Sequence, residues 1–207
     1  MSVAYRAKLM SRLLLGLVMV GMLSACGSVK VKRGSAEEQT ELTGRWNAND
    51  SSMVATKMIN SALDGGWLRR HMRENGGKVP TVIVGKFRNL SHEVINVSTF
   101  VADIEAALIN SGEVDFVASS KEREQLRGER RDQELNARDD TRKEMGQEIG
   151  ADFMLIGTLN SFTEKRGGTK NIQYQVDCQL IDMESNRKVW IGSQKHAKTI
   201  ERSRFGF

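Results

Sequence analysis

Proline, cysteine and aromatic side chains are scarce in this chain. Of 207 residues one is proline, two are cysteine and 6% are aromatic. A single proline, Pro80, excludes a proline-rich stalk. Two cysteines, Cys26 and Cys178, exclude a disulfide framework if either is otherwise engaged, and no pair stands at zinc spacing. His71, His92 and His196 are the only histidines. They are scattered, each has polar neighbours, and all three read as surface residues. There is no Gly-x-Ser-x-Gly elbow and no His-Glu-x-x-His pair. The sequence therefore offers no catalytic, cofactor-binding or metal-ligating residues, and a periplasmic hydrolase would need a site of unrecognised pattern. The longest apolar stretch, residues 13–23, is roughly half of the ~20 residues a membrane-crossing helix requires.

What is present begins with targeting. Arg6, Lys8 and Arg12 precede that apolar stretch with no acid among them, which is the profile of a signal peptide. Leu23-Ser24-Ala25-Cys26 follows and resembles the bacterial lipobox, which implies removal of residues 1–25 and lipidation of Cys26 with palmitate-type acyl chains. One chain binds a bilayer only marginally, whereas two or three hold firmly. Gly27 and Ser28 follow the cysteine without an aspartate, and by the enterobacterial sorting rule this implies the outer membrane. The formal charge of +5 loses those three positives with the signal peptide and falls to +2. The basic balance is thus a targeting feature, and nucleic acid is not an expected partner.

Residues 26–48 hold few apolar side chains and are expected to be a flexible tether, at most on the order of 70 Å long. The domain is expected over 49–207. Helical spacing of Val54, Met58, Ala62 and of Ile59, Leu63, Trp67 predicts a helix from Asp50 or Ser51 to Asn75, broken near Gly65-Gly66. A buried strand is predicted over 81–87, a polar loop over 88–96, a second amphipathic helix from Val97 to Asn110-Ser111-Gly112, and a short strand over 113–118. Eight basic and nine acidic residues between Lys121 and Glu148 predict two solvated helices, the second capped at Asp139-Asp140-Thr141 and ended by Gly150. Strands over 151–162, 171–183 and 188–199, turned at Gly167-Gly168 and Ser185-Asn186, make an antiparallel meander. The expected fold is α+β: a mixed sheet of about five strands packed by helices.

Within this plan Cys178 falls on the apolar side of a period-two strand and reads as a buried thiol. Trp190 either packs beneath a helix or anchors a partner. Gly167-Gly168-Thr169-Lys170 lacks the length and the following helix of a phosphate loop, and turn chemistry accounts for it. The loop carrying Asn89, Ser91, His92 and Glu93 leaves a buried strand for a helix N-terminus. Asn89, Ser91 and Glu93 are its candidate partner contacts, although the first two also suit bonds to their own turn.

Val79-Pro80-Thr81-Val82-Ile83-Val84, Leu108-Ile109-Asn110-Ser111-Gly112, Ile149-Gly150-Ala151-Asp152-Phe153 and Arg187-Lys188-Val189-Trp190 occur in the order seen in the LpoB family, which the chain resembles across most of the expected domain. The resemblance implies a TolB N-terminal-like fold. It also implies a noncatalytic outer-membrane lipoprotein, facing the periplasm, that activates a bifunctional penicillin-binding protein and so promotes peptidoglycan synthesis, cell wall biogenesis and cell shape. Only the lipidated Cys26 carries over residue by residue. Enterobacterial members carry a long proline-rich tether, and this one is short. The alternative is a structural subunit of an envelope secretion complex similar to curli-secretion lipoproteins, which would need alternating hairpins to line a pore.

Overall fold

A computed structural model describes residues 44–143, 146 and 148–201. The signal peptide, Cys26 and nearly all of the tether lie outside the described residues. Among those described, no helix is long and apolar enough to cross a membrane.

The order of elements is α1 (Ala48–Leu63), α2 (Gly66–Glu74), β1 (Thr81–Asn89), α3 (Val97–Ser111), β2 (Asp115–Phe116), α4 (Ser120–Asn136), β3 (Phe153–Arg166), β4 (Thr169–Asp182) and β5 (Lys188–Glu201). The strands form one mixed sheet in the order β2-β1-β3-β4-β5. β1 runs parallel to β2 and β3, and the last three strands are antiparallel. This is the expected α+β architecture.

Helix α1 starts at Asn47, not at Asp50 or Ser51. The Asn47 side chain accepts from the Asp50 N–H and the Asp50 carboxylate accepts from the Asn47 N–H, a reciprocal capping box. Val54, Ala55, Met58 and Ile59 recur at helical spacing and are buried, as are Phe100, Ile104 and Leu108 on α3. They rest on the inward rows of the sheet: Leu155 beside Leu180, Gly157 beside Cys178, Leu159 beside Val176. A one-residue bulge in β1 after Val84 places Gly85 where an added Cβ would lie 2.8 Å from the Met154 sulfur and 2.9 Å from Ile156, so a side chain there would collide with β3. The core and the side chains packed on it run from Trp46 to Ile200, so residues 40–207 contain all of it.

The region from 113 to 150 also departs from expectation. The second charged helix is absent from the described residues after Asn136: Asp139-Asp140-Thr141 forms a turn, and 142–143, 146 and 148–150 are not helical. Glu148 is held instead by Arg127, whose Nε and Nη2 donate to its two carboxylate oxygens at 2.8 and 2.7 Å. The predicted strand 113–118 shrinks to Asp115–Phe116. The single helix α4, closed by a Ser119–Glu122 capping box, buries none of its residues.

Cys178 is fully buried, and burial, then the charge of Asp177, pushes its thiol from the ordinary 9.0 up to about 12. A raised pKa gives stability that is complete below the unfolded value and is lost as pH climbs through the folded one. Urea titrations are therefore expected to show stability falling from about pH 9 upward, with a shallower alkaline decline in Cys178→Ala, whose core is otherwise weaker.

Candidate functional site

Where the chain enters the domain, three residues are pinned by partners far away in sequence. The Trp46 N–H donates to the Tyr174 hydroxyl at 3.0 Å, and that hydroxyl donates to Glu93 Oε2 at 2.8 Å. The Trp46 ring lies edge-on to Tyr174 at 5.2 Å, and Phe100 and His196 flank it at 6.4 and 6.5 Å. Burial, then the bond to Glu93, holds the Tyr174 phenol above its usual range. Beside this aromatic group Asp50, 3% exposed, receives the Lys198 ammonium at 2.6 Å and stands 2.9 Å from His196 Nε2. Lys198, 9% exposed, also donates to the Arg45 carbonyl at 2.9 Å. Two opposite charges withdrawn from water this far persist only with such geometry. Trp46 and Asn47 stand on the tether side of the expected boundary at residue 49, yet both pack onto the domain.

β1 runs two residues past the expected end at 87, so the loop is 90–96, and with Asn89 at the strand's end it is tied to the same network. Asn89 Nδ2 donates to the carbonyls of Glu93 (2.8 Å) and Ile95 (3.4 Å), and its Oδ1 accepts from the N–H and hydroxyl of Ser91 at 2.9 and 2.6 Å. The His92 N–H reaches Ser161 Oγ on β3 at 3.2 Å. Asn89, Ser91 and Glu93 thus spend their polar atoms within the protein and fix the loop's shape. Beside His92 and Asn96, the fixed loop displays two apolar side chains: Leu90 is 52% exposed and Val94 is fully exposed. Sequence reading passed over both, since a lone apolar residue in a polar loop carries no periodic signal. Replacing Tyr174 by Phe leaves Glu93 and the Trp46 N–H without their shared partner, and a loss of ~1.5–3 kcal/mol is expected, with hydrogen exchange at Trp46 and across 89–95 rising together.

The histidines differ from expectation. His92 is exposed, but the side chains of His71 and His196 are only 10% and 24% exposed. Each lies on an inward row or against an aromatic ring, His71 being 5.3 Å from Phe153. His71 borders a cavity of about 340 Å3 and is 3.9 Å from Asp152, whose carboxylate is engaged by the Thr81 N–H at 2.8 Å. Besides the imidazole, the ionisable groups lining that cavity are the carboxylates of Glu74, Asp152, Asp182 and Glu184 and the guanidinium groups of Arg70 and Arg187. No group of three or more histidine, cysteine or acidic side chains is placed to hold a metal among the described residues. Trp190 packs against the core beneath the α1–α2 junction, close to Gly65 and Met58.

No curated protein matches the chain. Among solved structures it is similar to the LpoB C-terminal domain from Escherichia coli, at 16% identity over 76% of this chain and 100% of that one, with a TM-score of 0.37. It is similar too to a lipoprotein from Neisseria meningitidis, at 14% identity over 60% and 87% with a TM-score of 0.39. The PelC dodecamer from Paraburkholderia phytofirmans gives 17% identity over 57% and 72% with a TM-score of 0.33. The family model described as the peptidoglycan-synthase activator LpoB matches residues 50–196, most of the chain, and the protein belongs to that family.

Proposed function

We propose that this protein is an outer-membrane lipoprotein, anchored through Cys26 after loss of residues 1–25, that binds a bifunctional penicillin-binding protein from the periplasmic side and raises its activity. Membership of the activator family over 50–196 is the observation that carries the reading. The lipobox supplies the anchor, and the domain acts as a ligand of the synthase with no chemistry of its own. An activator of this kind works by binding an active synthase conformation more tightly than an inactive one, since equal affinity for both shifts nothing. The loop 90–96 is the proposed contact. Asn89, Ser91 and Glu93 hold it rigid, so little conformational freedom is lost on docking, and Leu90 and Val94 supply the apolar surface.

The test is a pull-down from detergent-solubilised membranes with residues 40–207, followed by lipid II polymerisation on any synthase recovered. A recovered penicillin-binding protein that runs faster with the fragment supports the reading. Recovery of secretion components alone, or a bound synthase whose rate does not change, overturns it. The anchor is tested separately by palmitate labelling, which is expected to vanish in Cys26→Ser.

A further inference from the structure

The sheet is open along one side of β1. β2 pairs with Thr81 and Val82 alone, and past the Val117 N–H, which donates to the Val82 carbonyl at 3.1 Å, no strand among the described residues follows that side. Alternate residues of a parallel strand face the same neighbour, so Val84 turns its main-chain N–H and carbonyl outward as Val82 does. The bulge after Val84 resets the alternation. Beyond it Leu90 donates to Leu159 on β3, so Phe87 and Asn89 face the open side. Residues 84–89 thus offer roughly 17 Å of unpaired edge. That edge floors a groove of about 880 Å3, walled by α3 on one side and by the first turn of α4 on the other. Val84, Phe87, Val97, Val101 and Met154 give it an apolar lining.

We propose that this groove takes an extended acidic segment of a partner protein, which adds to the open edge of β1 as a further strand. Main-chain bonds to the edge supply affinity in docking of this kind, and the surface beside it takes alternate side chains. Charge selects the occupant. Lys86 and Arg88 are exposed on β1, and Lys121 is exposed at the start of α4. Arg123 also lines the groove. Its Nε is buried and makes no hydrogen bond, and Glu148, which feels its charge, is already held by two nitrogens of Arg127. A buried donor left unmade costs free energy, which an incoming carboxylate removes. Of the two acids in the lining, Glu122 is spent on the α4 cap, accepting from the Ser119 N–H and hydroxyl at 2.8 and 2.7 Å, so Glu105 alone opposes these cations. Lysine and a bulge on an edge strand guard against pairing between copies, and a second copy of β1 would set Lys86 and Arg88 against their own kind. A strand of opposite charge meets no such barrier. The edge runs straight into the loop 90–96, so one partner spans both, and the chemistry of the groove does not depend on which protein that partner is.

The anchor-free fragment 40–207 and a synthetic probe test this. A short capped peptide alternating glutamate with valine is expected to bind and to slow hydrogen exchange at the Val84 and Phe87 amides. The same peptide with its main-chain amides methylated is expected to bind roughly ten-fold more weakly, as is one with lysine in place of glutamate. Lys86→Glu combined with Lys121→Glu is expected to lower affinity for the glutamate peptide about ten-fold, and the charge-matched pair Lys57→Glu and Lys188→Glu, on α1 and at the start of β5, less than about two-fold. All four lysines are exposed, so the unfolding midpoints stay where they are and lost binding is told apart from lost folding. An equal fall in both double variants, or a lysine peptide bound as well as the glutamate one, overturns the charge assignment. A methylated peptide bound as tightly as its parent overturns strand addition. Exchange slowed on β5 in place of β1 puts the new strand on the other edge of the sheet, and Val84 protected by protein concentration alone puts a second copy in the groove. Either result overturns the proposal, as does a glutamate peptide that does not bind.

Discussion

Asp50→Ala is expected to cost the domain ~3–5 kcal/mol, because it leaves the Lys198 ammonium buried without its carboxylate. The same change removes half of the capping box on α1, which contributes about 1 kcal/mol of its own. Chemical denaturation of the two proteins measures the difference directly. The decisive comparison is a double variant: Asp50→Leu with Lys198→Met has no charge left to strand and is expected to recover most of the loss. If the double variant is no better than Asp50→Ala, the damage comes from the helix cap and the packing around Trp46, and the ion pair is a bystander.

Aspartate at both Leu90 and Val94 is expected to weaken synthase binding by at least ~30-fold, the equivalent of a 2 kcal/mol contact at the centre of an interface. The unfolding midpoint should stay where it is, since Leu90 is 52% exposed and Val94 fully so and surface changes of this kind stay within about 0.5 kcal/mol. A polymerisation assay read beside a melting curve distinguishes the two effects. Full activation by the double variant would remove the loop from the interface. Alanine at Asn89 makes the complementary probe: it leaves the apolar contacts in place and frees the loop that presents them, so binding falls through lost rigidity while Leu90 and Val94 are untouched.

The sequence made the order of elements legible because burial here follows period. Val54, Met58 and Ala62 announce α1 and the alternation from Ile172 to Leu180 announces β4, and each lies as its period demands. Strand ends were less legible for a physical reason. Beyond Phe162, β3 continues through Thr163, Glu164, Lys165 and Arg166, held by ladder pairing with no core beneath it, and hydrophobicity carries no trace of that. The charged region misled in the other direction. Its composition permits helix throughout, but Glu148 is drawn to Arg127 twenty-one residues earlier, and such a contact is invisible to any local pattern. The Trp46–Tyr174–Glu93 chain joins residues separated by 128 and 81 positions. His196 was more accessible to inference than it looked: it shares the alternate row of β5 with Lys198 and stands beside Tyr174 in the ladder, so its parity marked it as inward even though the charged Lys195 precedes it.

The bonds from Glu93 through Tyr174 to Trp46 also define how this domain would carry tension. If the protein is anchored and docks as proposed above, it is pulled at two points, the loop beside Glu93 and the backbone at Trp46. They are joined by two hydrogen bonds meeting at one hydroxyl, beside the indole of Trp46. A pull between those two points would load this short path before it reached the strands of the meander.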